Sequence, residues 1–566
     1  MVDRLLIRGA QVVDGLGSPA HGADVAVEAG KIVEVGRPQE KGARVIDADG
    51  LVLAPGFVDI HTHYDAQLHF DPLASPASAH GVTTVVMGNC GFSLAPSKRE
   101  DLPWLLRMLS RVEGMSAVAL EAGVDFQGGG IADFLRGLEG RIAVNAAVYV
   151  GHAALRRWVM GDEASTREAR PEEVEAMADL LRIGLDEGAI GFSTSQLDIH
   201  ADHEGRPVPP NLASAEEVVA LSAVLGEYDH GVLQCLPRSG SADFDMDDQA
   251  LLLAMARASR KPLHIQPLSR FPHHPGMWRE VLDFCERVAE EGLRVLPMSM
   301  INVKRIHFSL ADTFMFDEMP TFRRTLTLDP PERARELRDP TIRATLRREV
   351  EATEGRSFLF GWDEISVAGS RKKEWVGQDT SQLARAFGSH PLDALLDLSL
   401  EENLETLWVW TRSPHPEDEA VRAAITTHPL TLPGSSDGGA HLATFCGADY
   451  TTRCLSELVP GVLSLEAAVH LLSAQPAEVC GFRDRGIIRP GARADLVLFD
   501  LDGLAVSPIR WARDLPKEAG RFVFDASGYA ATIVNGEVVL RDGEPTGATP
   551  GEAIRLGSAG QGAQGS

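Results

Sequence analysis

Short apolar runs alternate with amphipathic stretches through most of the chain, from about residue 56 to residue 480. The apolar runs have the length and β-rich composition of buried strands, and they lie at 82–87, 142–150, 190–194, 231–235, 262–266 and 294–298. Helical patterns lie between them, as at 171–182 and at 214–222, where Ser214 and Glu217 form a capping box. This repeat predicts an α/β fold, a (β/α)8 TIM-like barrel, whose functional groups lie at the carboxyl ends of its strands.

The two ends of the chain have a different pattern. Residues 1 to about 55 contain short alternating runs separated by glycines, at 5–8, 11–13, 24–27 and 31–35. Near the other end, 496–499 is apolar, and 531–539 is centred on Asn535-Gly536, a dipeptide typical of tight hairpins. Because neither piece can hold a core alone, the pattern predicts one small β-sandwich built from 1–55 and 481–550, with the barrel at 56–480.

Two further segments depart from the alternation. Residues 303–350 are charge-rich and helical in pattern, which predicts an insertion over the barrel mouth and a candidate lid. Residues 557–566 contain only Gly, Ala, Ser and Gln, and we expect this tail to be disordered.

Composition and charge exclude several classes of protein. The chain has 566 residues, 44% of them hydrophobic, and a formal charge of 54 − 81 = −27 without a basic block, which argues against nucleic acid or an anionic membrane as a partner. No apolar run reaches the roughly 18 residues of a membrane span, and no signal-peptide core follows Met1. We therefore expect a cytoplasmic protein with a small-molecule substrate. The sequence is also consistent with a homo-oligomer. The six cysteines are scattered, so we expect no disulfide framework: Cys90, Cys235, Cys285, Cys446, Cys454 and Cys480.

His61-Thr62-His63 ends the first apolar run of the barrel region. Side chains alternate in a strand, so both imidazoles point to one side while Thr62 points away. Two imidazoles at a strand end are half of a metal site, although a bare His-x-His is also an ordinary strand exit. Asp437 lies in a Ser-Ser-Asp-Gly-Gly turn after what would be the last strand, at the same rim.

These residues and several longer phrases resemble the amidohydrolase superfamily, and in particular its D-aminoacylase (N-acyl-D-amino-acid deacylase) branch. The phrases cover nearly the whole chain: Pro-Gly-Phe-Val-Asp-Ile-His-Thr-His-Tyr-Asp at 55–65, Gly-Val-Thr-Thr-Val-Val-Met-Gly-Asn-Cys-Gly-Phe-Ser at 81–93, Val-Gly-His-Ala-Ala-Leu-Arg at 150–156, Gly-Ala-Ile-Gly-Phe-Ser-Thr at 188–194, Ser-Asp-Gly-Gly-Ala-His at 436–441 and Gly-Ala-Arg-Ala-Asp-Leu-Val-Leu-Phe-Asp at 491–500.

The resemblance implies a metal centre and roles for four residues. His61 and His63 would ligate a divalent metal, Cys90 would ligate or bridge, and Asp437 would ligate and shuttle protons. A thiolate ligand favours zinc. From the residues alone, Cys90 is equally well a small buried hydrophobe between glycines.

The chain departs from this family at two metal positions. Where D-aminoacylases carry a histidine after the fifth strand and another after the sixth, this sequence has Leu236 and Pro267. Neither side chain binds metal, so the sequence favours one ion over two. Alternatively, other side chains replace the two absent histidine ligands, and the candidates are His264, Gln234, Gln266, His152 and His441.

Other residues are candidates for binding substrate. His152 follows the third strand, and His441 lies four residues after Asp437, one helical turn on if that segment is a helix. His264 is as well explained by a hydrogen-bonded core histidine, and His441 by a role in orienting Asp437. A carboxylate-bearing substrate needs a cation, for which the candidates are Arg238, Arg270, Lys304 and Arg305.

Three functions are consistent with the sequence. The first is metal-dependent hydrolysis of the amide bond of an N-acyl-D-amino acid, with Asp437 as proton shuttle. The second keeps the fold and the metal but acts on a cyclic amide, or deaminates a ring. The third is a barrel that has lost catalysis and binds a ligand.

Overall fold

A computed structural model describes residues 4–40, 42–238, 240, 243–302, 305–311, 313–353, 356, 358–434, 436–459 and 461–557, except for the side chain of Gln266. The predictions on the tail after residue 557, on Lys304 and on the Gln266 side chain therefore lie outside the described residues. Within those ranges, no helix is long and apolar enough to cross a membrane.

Eight parallel strand segments form the centre of a mixed α/β structure. They are β1 (Phe57–Asp59), β2 (Val82–Met87), β3 (Asn145–Val148 with Val150–Gly151), β4 (Gly191–Ser195), β5 (Val232–Leu236), β6 (Leu263–Leu268), β7 (Val295–Met300) and β8 (Leu432–Gly434). Each strand pairs with the next in this series. Just past the ends of β1 and β8, Thr62 and Gly438 form a parallel bridge.

These strands form where the sequence predicts them. The apolar runs at 82–87, 190–194 and 294–298 match β2, β4 and β7 within two residues at either end, because apolar runs this short have the length of a buried strand and are too short for a typical helix. The helices of this part lie between or after the strands: Leu102–Val112, Ala117–Gly123, Ile131–Leu138, His152–Met160, Pro171–Asp186, Ala215–Val224, Met246–Ser259, Met277–Glu290, Asp418–Thr426, Tyr450–Arg453, Leu465–Leu472 and Ala474–Val479.

Both ends of the chain contribute strands to one nine-stranded sheet. The connection between them is the antiparallel pairing of Val52–Pro55 with Leu496–Phe499. The Asn535-Gly536 turn joins two antiparallel strands, which confirms the predicted hairpin. The other strands of the sheet are Arg4–Val12, His21–Glu28, Lys31–Gly36, Arg44–Asp47, Tyr529–Val534, Glu537–Arg541 and Glu544–Pro545.

A separate three-stranded antiparallel sheet lies in the segment between β7 and β8. Its strands are Ile306–Phe308, Leu407–Trp410 and Ile365–Gly369, in that order. Its helices are Pro320–Leu326, Pro330–Glu336, Pro340–Glu351, Thr380–Phe387 and Pro391–Glu401. These elements share a hydrophobic cluster of their own, which also includes Phe445. We refer to residues 306–410 as the inserted unit, and its elements continue well past the 303–350 of the sequence prediction.

Candidate metal centre

His61 and His63 lie just past the end of β1, and their side chains are 3% and 2% exposed. Their ring centroids are 5.7 Å apart. The Sγ atom of Cys90 lies 3.3 Å from Nε2 of His61 and 3.9 Å from Nε2 of His63. The predicted convergence of two imidazoles on one point is therefore confirmed, with a thiol as the third group of the cluster.

Thr62 holds the histidine pair in place from the opposite side of the chain. Its Oγ1 donates a hydrogen bond to the Val86 carbonyl oxygen at 2.7 Å, and its backbone pairs with Gly438. The backbone N–H of His63 donates to the Gly438 carbonyl at 2.7 Å. Because side chains alternate along extended backbone, anchoring Thr62 outward directs His61 and His63 inward.

Cys90 lies in a tight loop directly after β2, with a left-handed backbone at φ 56°. Its backbone N–H donates to Oε1 of Gln234 at 2.6 Å, and the N–H of Gly91 donates to Oγ of Ser193 at 3.1 Å. The Asn89 side-chain amide donates to the Thr62 carbonyl, just past β1, at 3.1 Å and to the Val86 carbonyl in β2 at 2.9 Å. Contacts from several strands thus fix the loop, which offsets the strain of a left-handed residue that is not glycine.

Asp437 joins the cluster from the turn after β8. Its Oδ1 lies 3.5 Å from Nε2 of His61, and its side chain is 15% exposed, more than those of the two histidines. Its backbone is also left-handed, at φ 49°. Gly439 completes the turn at φ 88°, where a Cβ would approach the His63 carbonyl oxygen to 2.6 Å, so the turn needs glycine at that position.

His441 is close to the cluster, but the four-residue spacing from Asp437 does not explain its position. No helix connects Asp437 with His441, which has its own left-handed backbone at φ 52°, so the helical-turn argument was wrong. His441 instead reaches Glu113, a buried carboxylate that the sequence reasoning missed. Nε2 of His441 lies 3.6 Å from Oε2 of Glu113, and Oε1 of Glu113 lies 3.5 Å from Nδ1 of His63.

The donor set fits a divalent metal. The ligand atoms of His61, His63 and Cys90 all lie within 4.8 Å of one another, and all three residues are buried. Burial lowers the pKa of His63 well below its usual value, and the neighbouring His61 lowers it further, so the imidazole is neutral and its lone pair is available. Imidazole and thiolate are both ligands that zinc binds, so this set fits zinc.

β5 and β6 supply no histidine at the rim. Leu236 and Pro267 stand at the ends of these strands, as the sequence indicated. Gln234 and His264 lie deeper and adjacent in register. Nε2 of His264 is 2.9 Å from the Tyr149 hydroxyl, and its ring centroid is 6.1 Å from that of His61. In this position His264 is a hydrogen-bonded residue beneath the cluster, outside the group of three potential ligands.

The remaining predicted residues lie outside the cluster. His152 is fully buried, with Nδ1 2.8 Å from Thr194 Oγ1 and Nε2 2.9 Å from Glu217 Oε1. Arg238 is exposed, and its guanidinium donates to Asp198 at 2.8 Å. A role for either residue in binding substrate stays a prediction.

His200 is a second site residue that sequence reasoning missed. Its Nδ1 lies 3.1 Å from Ser195 Oγ at the end of β4, and its ring packs on Phe92 with centroids 5.4 Å apart. Burial lowers its pKa to about 3, with a further contribution from the nearby His441. It lies in an irregular loop, and neither Glu113 nor His200 belongs to a pattern that marks it in the sequence.

Comparison with known proteins finds matches over nearly the whole chain. The amidohydrolase family model matches residues 44–540. N-acyl-D-aspartate deacylase of Alcaligenes xylosoxydans xylosoxydans is 31% identical, over 98% of this chain and 95% of its own. The solved structure of N-acyl-D-glutamate deacylase from Bordetella bronchiseptica, complexed with zinc and a phosphonate inhibitor, is 26% identical with a TM-score of 0.68, covering 98% of this chain and 99% of that one. A structure of D-aminoacylase is 25% identical with a TM-score of 0.67, covering 98% and 100%.

The fold and the cluster define a mixed α/β protein with a histidine–cysteine group at strand ends. With the family model matching most of its length, this chain belongs to the amidohydrolase family.

Proposed function

We propose that this protein is a metal-dependent hydrolase that cleaves the amide bond of N-acyl-D-amino acids. The observation that carries the proposal is the convergence of His61, His63 and Cys90 within 4.8 Å, with Asp437 3.5 Å from His61. The relatives support the substrate class, because an N-acyl-D-aspartate deacylase and an N-acyl-D-glutamate deacylase both match over nearly the full length of this chain.

The architecture that supports this function is a closed (β/α)8 barrel. The support is the continuous pairing of β1 to β8 together with the Thr62–Gly438 bridge, which joins the first strand to the last. The terminal strands would form the β-sandwich of residues 1–55 and 481–550, and the barrel would span 56–480, with an insertion that begins near 303 and includes the 303–350 segment. Active sites of such barrels lie at the carboxyl ends of the strands, where the cluster lies.

His61, His63 and Cys90 would hold one divalent cation, with Asp437 as the fourth group. When bound, such an ion supplies Lewis acidity for polarising an amide carbonyl and for activating water at neutral pH. One ion is favoured over two because Leu236 and Pro267 offer no ligand atoms. D-aminoacylase, whose structure is similar, has a binuclear metal centre with one-metal activation and second-metal attenuation.

Asp437 would carry the proton between the two halves of the reaction. Its side chain is more exposed than those of His61 and His63, so it lies on the side of the cluster that a substrate reaches. A carboxylate there accepts a proton from the attacking water and then donates it to the leaving nitrogen, because an amine leaves only when protonated. The left-handed backbone at Asp437 aims the carboxylate into the cluster.

The experiment combines metal analysis with a substrate panel. The purified protein is analysed for zinc and other divalent metals, then assayed on N-acetyl-D-amino acids, their L-enantiomers and cyclic amides, before and after treatment with a chelator. We expect about one equivalent of metal, a preference for the D-series, and loss of activity on chelation with recovery on adding zinc.

A matched pair of variants ties the activity to the cluster. His61→Gln removes a proposed ligand, whereas His80→Gln changes a buried histidine that bonds Thr452 and the Phe524 carbonyl instead. Only His61→Gln should lose metal and turnover. A protein that holds no divalent metal and hydrolyses nothing would contradict the proposal, and hydrolysis confined to cyclic amides would replace its substrate.

A further inference from the structure

Glu113 lies immediately after the helix Leu102–Val112 and brings a carboxylate into the interior beside the cluster. Its side chain is 4% exposed. One carboxylate oxygen is 3.5 Å from Nδ1 of His63, and the other is 3.6 Å from Nε2 of His441. The backbone carbonyl of Glu113 also accepts a hydrogen bond from the N–H of His441. Glu113 therefore bridges two histidines on opposite sides of its carboxylate.

A carboxylate buried in this way costs folding free energy unless it faces groups that compensate its charge. In the proposed function, a cation bound by His63 would be one such group. His63 presents Nε2 toward Cys90 and Nδ1 toward Glu113, so the carboxylate lies 3.5 Å from the nitrogen that faces away from the cluster, slightly beyond a strong hydrogen bond. A carboxylate behind a ligating imidazole fixes the ring orientation and the tautomer and makes the ligating nitrogen more basic.

We propose that Glu113 is a positioning residue for the metal centre, and that it acts through His63. This inference rests on the proposed function, because it assumes that His63 ligates a metal. The effect of Glu113 is on the orientation and basicity of His63.

His441 extends this arrangement to the inserted unit. Its ring lies between Phe314 and Phe445, with centroids 5.0 Å away on each side. Phe314 belongs to the inserted unit, and Phe445 packs in that unit's hydrophobic cluster. Packing against the inserted unit therefore helps to hold the ring of His441 beside Glu113.

The test measures zinc binding instead of catalysis. In Glu113→Gln the side chain keeps its shape but loses its charge, and we expect zinc affinity, measured by competition with a chromophoric chelator, to fall about 10- to 100-fold. The thermal stability of the metal-free protein is measured alongside, to establish that the variant is folded. The control is Asp125→Asn, which changes another histidine–carboxylate pair, 2.5 Å from His69 and away from the cluster. That variant should bind zinc like the unmodified protein.

A second variant covers the case in which Glu113→Gln does not fold. His441→Phe leaves Glu113 and His63 in place but removes the histidine that faces the second carboxylate oxygen, and we expect a fall in zinc affinity of about 3- to 10-fold, less than for Glu113→Gln. Zinc affinity within twofold of the unmodified protein in a folded Glu113→Gln, or in His441→Phe if the first variant does not fold, would overturn the inference. If the unmodified protein binds no zinc, the proposed function fails instead, so the two failures are distinguishable.

Discussion

Oδ1 of Asp437 lies 3.5 Å from Nε2 of His61, although the two residues stand at the ends of the first and last strands of the parallel series. The adjacent bridge between Thr62 and Gly438 brings the two strand ends together. This contact supplies the cluster with a carboxylate on its more exposed side.

Replacing Asp437 with Asn should abolish most turnover. The amide keeps the shape of the side chain but accepts no proton at neutral pH, so we expect kcat to fall by about 10²- to 10⁴-fold. The control is Asp198→Asn, an exposed carboxylate paired with Arg238, which should leave kcat unchanged. Steady-state kinetics on the best substrate of the panel provide the comparison. Turnover by Asp437→Asn at near-normal rates would remove the proposed proton shuttle.

Restoring histidines at the ends of β5 and β6 should create a second metal site. In Leu236→His with Pro267→His, two imidazoles would stand at the rim positions that lack ligand atoms in this chain. We expect the bound metal, measured by elemental analysis, to rise from about one equivalent to about two. The single variant Leu236→His serves as the control and should bind less than two equivalents. Two equivalents in the unmodified protein would contradict the one-ion proposal.

The buried group formed by His152, Glu217 and Arg156 should matter for stability. Arg156 donates to both carboxylate oxygens of Glu217 at 2.6 Å, and both side chains are at most 1% exposed. Glu217→Gln leaves the guanidinium buried without its counter-charge, so we expect the free energy of unfolding to fall by about 3–5 kcal/mol.

The matched control for Glu217→Gln is Arg238→Gln, which breaks an exposed ion pair worth about 1 kcal/mol or less. Both values come from urea unfolding followed by circular dichroism. Similar small losses in the two variants would show that the buried group contributes little.

If His152→Gln raised KM without lowering stability, the sequence-based role of His152 in binding substrate would be favoured.

His80 should make the stability depend on pH. Burial lowers the pKa of His80 below its usual 6.5, so the unfolded chain binds more protons than the folded protein as the pH falls below about 7. The contribution of His80 is therefore complete above pH 7 and is lost progressively toward pH 5. We expect the unmodified protein to lose more stability over this interval than His80→Gln does. His415→Gln, an exposed control, should follow the unmodified protein. Parallel profiles of stability against pH for all three proteins would show that His80 does not contribute to the pH dependence.

The amino-acid sequence by itself determined the strands and the first half of the cluster. Buried strands such as β2 and β7 can be predicted because their apolar runs have the length of a strand and are too short for a typical helix. The inward direction of His61 and His63 follows from the two-residue period of a strand, which is a local property. The absence of ligands at Leu236 and Pro267 could also be inferred in advance, because it depends on side-chain chemistry and a family resemblance.

Only the tertiary structure decided how closely the distant groups approach the histidine pair, and it alone identified Glu113 beside them. The approach of Cys90, Asp437 and Glu113 to the two histidines depends on strand pairing and on packing between segments far apart in the chain. The left-handed backbones at Cys90, Asp437 and His441 are imposed by their surroundings, since an L-residue other than glycine rarely adopts them unaided. Spacing in sequence therefore suggested a helical turn between Asp437 and His441, whereas the tertiary contacts hold an irregular turn and direct His441 to Glu113.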